Sequence, residues 1–100
     1  MGKARRVVPR KMPGKLKIIR DALELSLEMM VKRLESELSD LDYPDVKLYS
    51  GYITEFEQGK REPILPVLLA YGRASKINVE RLIDDRDDLS AKDINNRDYR

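Results

Sequence analysis

Lys60 and Arg61 are the residues of this 100-residue chain best placed to do chemistry, and the chemistry they suit is anion capture. They follow Gly59, a residue suited to the left-handed turn that ends a helix, and precede Pro63, which stops its continuation. Ile53 and Phe56 lie three apart just upstream, so one helical face carries both toward a core. Two cations after such a helix meet the negative end of its dipole, where a phosphate could also be met. A second cationic set opens the chain. Lys3, Arg5, Arg6, Arg10, Lys11, Lys15, Lys17 and Arg20 fall within residues 1–20 without one carboxylate, whereas residues 80–100 hold seven acids against five bases. The net charge is only +2, so this is a cationic head on a near-neutral body. A nucleic-acid-binding arm has that pattern, and so does a solvated leader that merely aids solubility.

Other chemistry lacks its groups. Histidine and cysteine are both absent, which removes the commonest general base, the commonest metal ligand and any disulfide. An enzyme is not expected, nor a metal or cofactor. No apolar run approaches a membrane span, and the basic start lacks the apolar stretch of a signal peptide, so no membrane association is expected. One hundred residues make one domain, with a core that buries roughly 60–70% of the unfolded surface.

The elements that must position these cations read as helices throughout. Residues 1–14 contain Gly2, Pro9, Pro13 and Gly14 among the bases and read as an extended, mobile arm. From Lys15 an apolar stripe of Leu16, Ile19 and Leu23 marks a first helix. Ser26 offers an N-cap to a second, running from Leu27 to about Leu38 with Met30, Val31, Leu34 and Leu38 inward. The segment from Ser39 to Asp45, with Pro44, is turn-rich. A third helix should start near Tyr49 or Ser50 and end at Gln58, and a fourth should begin around Pro66. Asn78 can cap a short fifth holding Val79, Leu82 and Ile83, after which residues 86–100 read as a polar tail. There is no strand-like alternation, so the chain should be all-α.

The run Ile53-Thr54-Glu55-Phe56-Glu57-Gln58-Gly59-Lys60-Arg61-Glu62-Pro63 resembles the end of the recognition helix and the exit turn in phage-repressor-type (Xre-like, Cro-like) helix-turn-helix proteins. Leu16-Lys17-Ile18-Ile19-Arg20 with Leu25-Ser26 resembles that family's opening, and residues 65–71 with 79–85 resemble its closing helices. The resemblance covers roughly residues 15–85. It departs where Gly is usual and this chain has Glu24, and where Gln, often a phosphate contact, is replaced by Leu27. Val31 replaces a small residue, and Glu35 a Gly. The ordinary turn spans about 3–4 residues, yet Leu34 and Ile53 are nineteen apart, so residues 35–48 carry an insertion.

The resemblance implies a five-helix repressor-type domain with a basic N-terminal arm: a transcriptional regulator of double-stranded DNA in a bacterial cytoplasm. It places Ser50, Gly51, Thr54 and Glu55 on the base-reading face. Hydroxyls can serve several bases, a carboxylate can accept from cytosine, and a glycine permits close approach. Phosphate contacts fall to Tyr52, Lys60 and Arg61, joined by Lys3, Arg5, Arg6, Arg10 and Lys11 of the arm. Arg20 is implied to pair with Glu57 as scaffold. The insertion bears Glu35, Glu37, Asp40, Asp42 and Asp45 against Lys47, which repels phosphate and favours a structural or protein-contact role. Leu41, Tyr43, Val46 and Leu48 are expected to pack back from it. Tyr71 and exposed leucines near residues 77–83 could serve a homodimer face. The rival reading is an antitoxin-like or adaptor module that keeps the fold and binds a protein through residues 35–48.

Overall fold

The computed structural model describes residues 8–94. The chain is all-α: five helices, α1 (Met12–Leu23), α2 (Leu27–Asp40), α3 (Ser50–Gln58), α4 (Leu65–Ser75) and α5 (Val79–Ile83), precede a 3-10 turn at Ala91–Asp93. No strand occurs among the described residues. α2 packs on α3 and α4, while α1 lies against α3, α4 and α5. Leu16, Ile19, Met30, Leu34, Leu38, Ile53, Tyr71 and Leu82 are wholly enclosed at the centre. None of the helices is long and apolar enough to cross a membrane among the described residues.

α1 begins earlier than its sequence suggests. Pro13 reads as a breaker, but in the first helical turn its missing N–H would have had no partner anyway, and Pro is favoured there. Met12 is buried at 2% exposure and continues the stripe of Leu16 and Ile19. The N–H groups just ahead of the helix are taken by a distant carboxylate: Arg10 donates to Asp85 Oδ2 at 3.0 Å and Lys11 to Oδ1 at 2.9 Å. These backbone hydrogen bonds, first from Lys11 and then from Arg10, hold the Asp85 carboxyl below its ordinary range. The expected 14-residue arm therefore ends before Arg10. Lys3, Arg5 and Arg6 lie outside the described residues.

α1 closes on Glu24, whose φ of 60° is left-handed, with Leu25 N–H reaching back to Arg20 O at 3.3 Å. A side chain in that region costs about 1–2 kcal/mol, more than glycine's extra unfolded freedom of about 0.5–1 kcal/mol. Glu24→Gly should therefore stabilise the fold by about 0.5–1 kcal/mol and raise the thermal midpoint by a few degrees. An unchanged or lower midpoint would mean the exposed Glu24 side chain contributes a stabilising contact of its own.

Ser26 caps α2, accepting from Met29 N–H at 3.1 Å. After Asp40 the chain reverses: Leu41 N–H returns to Glu37 O, Tyr43 N–H to Leu38 O, and Asp42 takes a left-handed φ of 74°. The insertion is tied back by Glu35, which accepts from Leu48 N–H at 3.1 Å. Leu48 is buried, and Leu41 and Val46 half-buried, but Tyr43 remains 43% exposed. Tyr43 thus does not pack back as expected; it follows the left-handed turn at Asp42. Glu37 joins α2 to α4 through Arg73 at 3.1 Å, with Arg33 at 3.7 Å on its other oxygen.

The end of the chain is less of a tail than its polarity implies. Leu89 and Ile94 are buried at 7% and 1% exposure, and the 3-10 turn between them packs on α1. A Ser90–Asp93 capping box starts that turn, and Arg81 bridges Asp87 at 2.9 Å and Asp93 at 3.4 Å. Residues 95–100 fall outside the described set. Asn78 holds the N-cap position of α5 but makes no side-chain cap. The other end of α5 is closed by Lys15, 3% exposed, whose Nζ donates to Arg81 O at 2.5 Å and Asp84 O at 2.8 Å. Gly72 is required by close approach, since a Cβ there would sit 2.7 Å from Ile77 O.

Tyr71 is fully buried, edge-on to Phe56 at 6.5 Å, and contributes nothing to a dimer face. Leu82 is buried as well, which leaves Ile83, 45% exposed, as the large apolar side chain open to solvent in residues 77–83. Tyr71 and Leu82 therefore offer no surface to a dimer, because both fill the core.

Candidate functional site

α3 divides into faces by its helical period. Ile53 and Phe56 point inward at 0% and 3% exposure. Beside them, Glu57 receives Arg20 in a two-pronged pair, Nε to Oε2 at 2.7 Å and Nη2 to Oε1 at 3.1 Å. Arg20 spends Nη1 on Leu25 O at 3.0 Å, so one guanidinium joins α3 to the α1–α2 turn. The two side chains are 17% and 7% exposed. α3 is thereby fixed along one side and open along the other.

The open side carries Gly51 and Gln58, both exposed, with Thr54 and Glu55 half-exposed between them and Ser50 and Tyr52 at its flanks. A Cβ added at Gly51 would meet nothing within 4 Å, so this end of the helix faces free space. Gln58, which the family resemblance does not single out, belongs to this surface: it lies three and four residues from Glu55 and Thr54, the spacing that places side chains on one face. Its amide can bond adenine at two points.

Gly59 ends α3 at φ 75°, and a Cβ there would stand 3.4 Å from Pro13 of α1. The turn directs Lys60 outward, exposed and without an ion pair among the described residues. Arg61 instead folds back along the helix. Its Nε donates to Glu55 Oε1 at 2.6 Å, and its guanidinium carbon lies 3.8 Å over the Tyr52 ring centroid. Tyr52 in turn meets Tyr49 edge-on at 5.1 Å. Two residues expected to act separately, Glu55 on bases and Arg61 on phosphate, thus form one unit.

A cleft of about 430 Å³ runs between the root of the arm, Val8 to Pro13, and the exit turn, with Phe56 at its floor. The arm root and the exit turn therefore share one side of the molecule. Arg10 is exposed there, whereas Lys11 is paired with Asp88 at 2.6 Å. That hydrogen bond, followed by the attraction of the same carboxylate, raises the Lys11 pKa above its usual value.

The acidic insertion exposes Asp40, Asp42, Tyr43, Pro44 and Asp45, while Glu35 and Glu37 are engaged in holding it to the fold. No cluster of three or more carboxylate, histidine or cysteine groups able to hold a metal ion occurs among the described residues. No protein-family model matches the sequence, and comparisons with curated proteins and with solved structures return no match.

Proposed function

We propose that this chain is a repressor-type helix-turn-helix regulator that binds double-stranded DNA without a cofactor. The observation that carries the reading is α3: clamped by Ile53, Phe56 and the Arg20–Glu57 pair on one side, it offers Gly51, Thr54, Glu55 and Gln58 on the other. A helix with its side chains is about 10–12 Å across, which fits the major groove, about 12 Å wide. The exit turn and the root of the basic arm flank that surface, where phosphates of a docked duplex would pass Lys60 and Arg10. Arg5 and its neighbours then extend the contact along the backbone or into the adjacent minor groove. Such a regulator belongs in a bacterial cytoplasm.

The test is selection of bound sequences from a random duplex pool, followed by affinity measurements across a salt series. A recovered consensus with salt-dependent binding supports the reading; equal, weak binding of every duplex overturns it. A second reading, an antitoxin-like or adaptor module, draws on the exposed Tyr43 amid Asp40, Asp42 and Asp45, a surface that repels phosphate. It predicts one stoichiometric protein partner lost on Tyr43→Ala, and no preferred duplex.

A further inference from the structure

We infer that Arg61 reads a guanine, and that Glu55 is the residue that positions it. The inference rests on the DNA-binding reading and assigns the chemistry of one contact within it. A guanidinium presents five N–H donors in a planar fork. In Arg61 only Nε is taken, by Glu55, and the two terminal nitrogens make no hydrogen bond among the described residues. Tyr52 lies under the guanidinium, with 3.8 Å from its carbon to the ring centroid. Carboxylate at one edge and aromatic face beneath limit the swing of a side chain that would otherwise be mobile. The remaining edge, two parallel donors, is the shape that meets guanine O6 and N7 together.

Charge decides between guanine and phosphate. Arg61 and Glu55 stand 2.6 Å apart and are 44% and 42% exposed, so an approaching phosphate meets a pair with no net charge. Binding there would release little of the counterion atmosphere that makes phosphate contacts favourable. Guanine O6 and N7 are uncharged acceptors, and a neutral pair with free donors loses nothing against them. Lys60, one residue earlier and without such a partner, has the opposite character and is the phosphate contact of this turn. Glu55 is then not a base contact itself; its carboxylate is occupied on the side that faces Arg61.

The experiment uses the full chain and its selected duplex, with affinities taken across a salt series for wild type, Arg61→Ala, Glu55→Gln and the double variant. Both side chains lie outside the core, and thermal melting of each variant checks that the fold is kept. Arg61→Ala should lose roughly ten- to hundredfold preference for guanine at one position, while the double variant Arg61→Ala with Glu55→Gln, which leaves no carboxylate unpaired, should keep the wild-type log-affinity versus log-salt slope. Replacing that guanine with 7-deazaguanine, which lacks the N7 acceptor, should weaken wild type and leave Arg61→Ala unaffected. Glu55→Gln should relax the same position and steepen the salt slope by up to about 0.9, because the released arginine becomes an ordinary cation. Loss of about 0.9 in slope on the double variant, with base preferences kept, would overturn the assignment and make Arg61 a phosphate contact. A Glu55→Gln shift at a different base pair would overturn it too, making Glu55 a reader in its own right. If wild type binds no duplex, the DNA reading falls and this assignment falls with it.

Discussion

Glu57→Ala should destabilise the fold by about 3–5 kcal/mol, the cost of leaving a largely buried charge without its partner. Arg20 is only 17% exposed, and with Glu57 gone it would keep a single acceptor, Leu25 O. Two further outcomes separate this from a loss of bulk. Glu57→Gln keeps the shape and one acceptor oxygen, so it should cost less than the alanine. Replacing both residues with apolar ones, Arg20→Met with Glu57→Leu, should cost far less than the sum of the single changes, because no uncompensated charge remains. Urea denaturation of Glu57→Ala, Glu57→Gln, the double replacement and its two single components checks this. Small, additive losses under about 1 kcal/mol would place the pair in the class of solvent-screened surface bridges.

Removing residues 1–7 should flatten the salt dependence of the proposed DNA binding by up to about 2.7, or 0.9 for each of Lys3, Arg5 and Arg6 if all three meet phosphates. Among the described residues, the anchors of the arm root are Arg10, Lys11 and Met12. Removal through Gly14 should behave quite differently. It takes the buried Met12, worth about 2–5 kcal/mol if emptied, together with both hydrogen bonds to Asp85. Melting and salt-series affinity on the two truncations distinguish the outcomes. An unchanged slope in the shorter truncation would reduce the arm to a solubility aid, and equal melting of the two would deny Met12 its place in the core.

The helices were legible because their signals are local. Ser26, Gly59 and the inward stripes of α1, α2 and α3 announce themselves within a turn or two of their own positions. The start of α1 was obscured by Pro13 and Gly14, whose reputation as breakers ignores that the first helical turn tolerates both. What stayed hidden depends on distance along the chain. Lys15 sits in a row of exposed-looking bases, and its acceptors are 66 and 69 residues away. Leu89 and Ile94 stand five apart among acids, a spacing with no helical period, so only the surface of α1 reveals them as core. In the candidate site, the resemblance supplied Ser50, Gly51, Thr54 and Glu55 but not Gln58, which helical spacing alone would have added. The Glu55–Arg61 unit was out of reach because it forms across Gly59: only the left-handed turn there folds Arg61 back over Tyr52.

The burial of Lys15 beneath the end of α5 also sets an order of events during synthesis. A chain growing from its N-terminus makes α1 first, yet Arg81 O and Asp84 O do not exist until most of the described residues have been joined. Until then Lys15 holds a charge that belongs inside the protein, and the N–H groups of Arg10 and Lys11 wait for Asp85. Contacts of such long sequence separation are the slow ones to close. Of the described helices, the earliest to be made is therefore the last to be finished.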